Sequence, residues 1–259
     1  MDENLPGKDK IFAAVFPHSD DFSISVGGLI IKLLSEGMTG YFIRTSNDEM
    51  DSYDLTAGET MFRIEQETRA VAEFFGIRHV YDFNYKNHYL DHALVTEMRH
   101  RLITLFRFLK VDTVISFDPW GHYEENPDHY ITAMAVEQAC WMSGRQLDLP
   151  ELKDMGILPH FVTEKYYFAR GAQESNLVLD ISDVVDKKAA AIEMHQTPID
   201  NMWKERIAAN KYPRFEDKKE FIRKTMLESQ PAMEGLRYYE KYRHIAEYAG
   251  SLCAQNGQE

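Results

Sequence analysis

Three ionisable side chains share one short turn of this chain. His18-Ser19-Asp20-Asp21 follows the apolar run Ile11-Phe12-Ala13-Ala14-Val15-Phe16 and leads into helical spacing from Phe22. A strand-to-helix turn is where a parallel sheet opens its ligand crevice, so groups placed there can meet a small molecule. A second group, Asn126-Pro127-Asp128-His129, comes shortly after the apolar run 111–117 and should reach the same sheet edge. His18 and Asp21 lie three positions apart on a turn, so both can converge on one ion, and His129 would complete a set of two imidazoles and one carboxylate. Such a set leaves a coordination position open, as catalytic rather than structural zinc sites do. Zinc fits these donors best, and iron, cobalt or nickel would also accept them. Asp20, beside the ion without being a ligand, is placed to take a proton from an attacking water. Asp128, adjacent to His129, is placed to hydrogen-bond a ligand imidazole or its surroundings. The competing use of Asp20 or Asp21 is to cap the helix that begins at Phe22.

The first 145 residues alternate strand-like and helix-like segments, the pattern of βαβ units and a parallel sheet. Strands are expected near 11–16, 39–45, 78–83 and 111–117. Helical spacing covers 22–35, 59–75, 93–110 and 129–142, with Gly37 and Gly76 where helix C-caps belong. The segments 46–58 and 118–127 are long for connections in such units, and long loops on one edge usually build a site. Beyond Ser143 the alternation weakens. Residues 146–159 read as a proline-punctuated loop, 161–169 and 176–181 as strands, and 183 to about 195 as a helix. The charge-rich stretch 201–243 reads as solvated helix faces. One domain over 1–259 is the economical organisation, with a core at 1–145 and a C-terminal elaboration at 146–259.

Composition removes several classes of function. A chain of 259 residues that is 44% apolar can fill a sizeable core. Its formal net charge of -13 argues against nucleic acid or an anionic membrane as partner, because both need basic surface. Cys140 and Cys253 have no metal-binding spacing, and residues 1–4 lack a basic region leading into an apolar one, which points to the cytoplasm. No apolar segment approaches the roughly 20 residues of a membrane span; the best, 26–34, is broken by Lys32.

Taken together, the two motifs resemble those of the PIG-L/LmbE family of metal-dependent N-acetylglucosaminide deacetylases, in which a strand runs into His-Pro-Asp-Asp and a later loop carries His-Pro-Asp-His. Asn84-Tyr85-Lys86, Asp118-Pro119-Trp120 and Gly235-Leu236-Arg237-Tyr238 add to the likeness. The resemblance implies a Rossmann-like three-layer αβα sandwich with a mainly parallel sheet, and a homo-oligomer. It makes His18, Asp21 and His129 the zinc ligands and Asp20 the general base. The implied reaction removes the N-acetyl group from an N-acetylglucosamine-type sugar or conjugate, using water on zinc. Glu67 matches an acidic position on the family's second helix, whereas Arg63 falls one place early against its basic partner.

Three departures bear on that reading. Ser19 replaces proline, which loosens the turn unless its hydroxyl adds a cap. Asn87 stands where relatives have an Asp that contacts sugar hydroxyls. Asn126 stands where the family has a His that polarises the carbonyl or protonates the leaving group, and an Asn can donate a hydrogen bond there but not a proton. Trp120, His122 and Tyr123 offer aromatic faces for a sugar ring, His195 matches a position near the family's pocket, and His88 and His92 stand four apart. Rival readings keep the metal but change the amide, to one such as a thiol conjugate, or abandon catalysis for a receiver-like module with a magnesium-binding acidic pair or a binding protein with a degenerate site.

Overall fold

The computed structural model describes residues 7–209, 215, 217–228 and 235–246; residues 1–4 and Cys253 lie outside them. Four parallel strands form the first part of the sheet: β1 (Ile11–Phe16), β2 (Thr39–Ser46), β3 (His79–Tyr85) and β4 (Thr113–Phe117). The chain builds β1, β2 and β3 outward in one direction, then returns to lay β4 on the other side of β1. β5 (Glu164–Phe168) continues parallel beyond β4, and β7 (Tyr239–Ala246) and β6 (Leu177–Asp180) follow antiparallel, giving the order β3-β2-β1-β4-β5-β7-β6. The reversal between β1 and β4 is the topological switch point of an open α/β sheet, where ligands bind at the strands' carboxyl ends. Both motifs leave the sheet there.

Alternation along the strands sorts the core into two layers. Phe12, Ala14 and Phe16 of β1 face α2 (Gly27–Ser35), α3 (Ala57–Phe75) and α6 (Val185–Met194). Ala13 and Val15 face α4 (Val95–Leu109) and α5 (Pro127–Ser143) on the other side. The molecule is therefore an αβα sandwich with a mainly parallel sheet. Local signals set its helix ends: Thr56 and Glu59 form a reciprocal capping box for α3, and Gly76 ends it with φ at 94°. Among the described residues, no helix is long and apolar enough to cross a membrane.

Two expectations need correction. The single helix expected over 22–35 is two, α1 (Asp21–Ile24) and α2. The break has a physical cause in Glu240 of β7, whose carboxylate accepts the backbone N–H groups of Gly28 and Leu29 at 2.8 Å each, at the N-terminus of α2. A Cβ at position 28 would stand 2.4 Å from Ile181 Cγ2, so only glycine admits this approach. The stretch 201–243 is likewise not all solvated helix. It holds the end of α7 (Gln196–Ala209), α8 (Lys218–Ile222) with a π-turn at Arg223–Leu227, and the start of β7.

Candidate active site

Pro127 opens α5 at a position where its missing N–H costs nothing, and Asn126 caps it by accepting the Asp128 N–H at 2.9 Å. Asp128 and His129 thereby fall in the first helical turn, facing the turn after β1. Three donor atoms meet between the two segments. His18 Nδ1 lies 3.1 Å from His129 Nε2 and 3.3 Å from Asp21 Oδ2, and the last two are 3.8 Å apart. Donors about 2.0–2.1 Å from a tetrahedral zinc would stand about 3.4 Å from one another. The triangle fits one such ion, and all three residues are buried.

The remaining ring nitrogens have acidic neighbours. His18 Nε2 lies 3.3 Å from Asp128 Oδ2, and Asp128 is itself fixed by the His88 and Leu90 N–H groups. His129 Nδ1 lies 3.2 Å from Glu124 Oε2, off the axis of a full hydrogen bond, and its ring stacks on Phe117 at 4.0 Å. Carboxylates behind metal-binding imidazoles set the tautomer and raise basicity. Against its burial, contacts with His129 and Arg170 hold Glu124 down to about 2. Sequence reasoning overlooked Glu124, because its approach depends on how the loop before α5 folds.

Burial lowers His129, whereas for His18 burial is outweighed by Asp128 and Asp21, which raise it well above the usual imidazole value. Burial, then the charges of Asp21 and Asp51, raise the Asp20 carboxyl far above the ordinary range. Neither aspartate caps α1: among the described residues the Asp20 side chain makes no capping bond, and Asp21 Oδ2 accepts the His18 N–H at 3.2 Å. Asp20 instead lines a cavity of about 530 Å³ shared with the three donors, Asn126 and Arg170.

With that geometry in view, the comparisons are informative. Residues 13–140, which span both motifs, match the family PIG-L, described as GlcNAc-PI de-N-acetylase. This segment is a PIG-L domain. The diacetylchitobiose deacetylase of Thermococcus kodakarensis is 26% identical over 208 residues, covering 77% of this chain and 75% of that protein. The structure of N,N'-diacetylchitobiose deacetylase from Pyrococcus horikoshii superposes with a TM-score of 0.75 at 24% identity, covering 92% of this chain and 84% of the other. GalB, the 4-carboxy-2-hydroxymuconate hydratase of Pseudomonas putida KT2440, shares the fold with a TM-score of 0.64 at 19% identity, over 93% and 98% of the two chains. The fold alone therefore leaves the reaction open.

Around the PIG-L domain's donor triangle, the other sequence candidates separate. Asn126 lines the cavity with its Oδ1 bound to the helix, and no described residue accepts from its NH₂ group. Asn87 is placed differently from the substrate contact expected of it: it is fully buried and its amide faces the Asp51 carboxyl. Asp51, which the sequence did not single out, takes the cavity wall above it. Trp120 is diverted to a separate groove because Asp118 holds its loop, accepting from Trp120 N–H, Gln173 and Arg243. His195 is also no cavity residue. It is fully buried behind α1, its Nε2 3.0 Å from Ser23 Oγ, and burial pushes it down to about 3. His88 reaches the cavity wall, whereas His92 packs edge-to-face against Tyr89 instead. Glu67 holds α7 through the Thr197 N–H and hydroxyl. The Ser19 hydroxyl adds no cap, being buried without a partner among the described residues.

Proposed function

We propose that this chain is a metal-dependent N-deacetylase that removes acetate from an N-acetylglucosamine-type sugar or conjugate, and that its ion is zinc. The donor triangle at the sheet's switch point carries this reading. Two imidazole nitrogens and one carboxylate oxygen suit zinc, and their outer carboxylates suit a bound cation. When held by His18, Asp21 and His129, the ion would supply Lewis acidity, polarising the amide carbonyl and acidifying a water.

The protein's own groups handle the protons. Asp20 accepts one from the attacking water and returns it to the departing nitrogen, which an Asn at position 126 cannot do. Asn126 keeps its NH₂ group as a hydrogen-bond donor for the carbonyl oxygen as charge develops there. Asp128 and Glu124 keep His18 and His129 oriented. Acetate and a free amine are the products.

The burial of Asn87 favours a second reading in which the same centre cleaves a different amide, such as that of a thiol conjugate. One assay addresses both. Zinc-loaded protein is incubated with N-acetylglucosamine, its conjugates and N-acyl thiol conjugates, and released carboxylate is measured. Acetate should come from the sugars, and Asp20→Asn should lower turnover about a hundred- to ten-thousand-fold at unchanged zinc content. Protein with one zinc per chain that releases acetate from no sugar would overturn the sugar reading.

A further inference from the structure

The turn bearing His18 and Asp21 is held by a residue that takes no part in the reaction described above. Asp48, just past β2, is fully buried and has φ at 52°, a left-handed conformation that a non-glycine residue keeps only when its surroundings fix it. Its Oδ2 accepts the Ser19 N–H at 3.0 Å and Arg44 Nη1 at 3.0 Å, and its Oδ1 accepts the Ser46 hydroxyl at 2.7 Å. Arg44 is fastened in turn to Asp82 of β3 at 2.6 Å. The Pro17 carbonyl accepts the Ser46 N–H at 3.0 Å. His18 is thus bracketed by two anchors to β2 and its following turn.

Proline at position 19, as in the family this chain resembles, has no N–H to give Asp48. Its ring carbon would occupy the place of that hydrogen, about 1.5 Å along the line from the nitrogen to Asp48 Oδ2, where no carbon fits. Proline at 19 and the present Asp48 are therefore mutually exclusive. The Ser19 hydroxyl has no partner among the described residues, so serine's contribution to this turn is its backbone N–H. We propose that Asp48 is a positioning residue, replacing the φ restraint of a proline with a buried hydrogen bond that keeps His18 and Asp21 at ion-binding spacing. Asp48 also lies near His18 and Asp51 in a grouping that could itself hold a cation, but three donors already occupy its oxygens.

This inference rests on the metal reading, and its test is zinc affinity by competition with a chelator, together with unfolding midpoints. The variants are Ser19→Ala, Ser19→Pro, Asp48→Ala and the Ser19→Pro/Asp48→Ala pair. Ser19→Ala should bind zinc as the parent does, while Ser19→Pro and Asp48→Ala each weaken it about 10–100-fold, the usual effect of losing a partner behind a ligand. The pair should bind more tightly than either single variant, because removing Asp48 makes room for the proline ring. Losses that simply multiply in the pair would overturn the proposal, as would Ser19→Pro binding as tightly as Ser19→Ala. That contrast decides the matter even if Asp48→Ala fails to fold with buried Arg44 left to Asp82 alone. A parent that binds no zinc would sink the metal reading and the positioning role with it, while the midpoints still report whether positions 19 and 48 are coupled.

Discussion

Without an ion, His18, Asp20 and Asp51 hold their protons more tightly in the folded state than in the unfolded, and these three outweigh His129 and His195, which burial makes hold theirs less tightly. Burial lowers His18, but Asp128 and Asp21 outweigh it and carry its pKa well above 6.5, while burial raises Asp51 to about 7 from an ordinary 3.8. For Asp51 the folded state loses stability as pH climbs from about 4 to 7. The stability due to His18 is complete below about 6.5 and disappears as pH rises through the raised folded value. Ion-free protein should therefore melt at lower temperature near pH 8 than near pH 5, and Asp51→Asn should flatten the decline. Zinc displaces the His18 proton, so its stabilisation should be larger at the higher pH. Melting curves of chelated and zinc-loaded protein check this; a flat ion-free profile contradicts it. His18, Asp21 and His129 were legible in the sequence because residue type and strand-end position were enough to place them together. Glu124, Asp48 and Asp51 were not, since each acts through a loop whose path follows from contacts distant in sequence. Asn87, Trp120 and His195 show the converse, side chains suited to a substrate that local packing turns elsewhere.

At the scale of elements, the decisive contact is between β7 and the start of α2. Glu240 and Lys188 are each almost fully buried and paired at 2.7 Å, and Glu240 also accepts from Gly28, Leu29 and Tyr242. Losing Glu240 strands a buried ammonium, whereas losing Lys188 leaves the carboxylate with three donors. Glu240→Ala should then cost about 3–5 kcal/mol in denaturant unfolding, and Lys188→Met distinctly less. Equal losses would mean that the helix N–H groups do little for the carboxylate. The α1–α2 break follows from this contact and could not be read from 22–35, whose apolar spacing is continuous. β7 escaped for a related reason. Its run Glu240, Lys241, Arg243 and His244 looks solvent-facing until Lys188, Asp118 and Glu164 are seen to pair with three of them. The four core strands were plain because their apolar runs need no distant partner to explain them.

Across the whole molecule, the PIG-L segment supplies the donors but only part of the cavity and of the sheet. Phe168, Arg170, Met202 and Phe221 line the same space from beyond it. β5 covers the free side of β4, and Tyr166, Tyr167 and Tyr242 are fully buried against the shared core. Each such aromatic buries about 150–250 Å². At about 25 cal/mol per Å², the three together contribute roughly 11–19 kcal/mol before the compactness of the unfolded chain is allowed for, at least comparable with the whole stability of an ordinary domain at about 5–15 kcal/mol. A chain cut after residue 145 would also leave β4 with an unpaired edge, a template for aggregation. We therefore predict that residues 1–145 alone neither fold cooperatively nor hold zinc with the affinity of the full chain, although all three donors are present. Near-ultraviolet circular dichroism and chelator competition on the fragment test this. A soluble fragment with a sharp melting transition and parental zinc affinity would make 146–259 an accessory to an independent core, and the single-domain organisation would have to be given up.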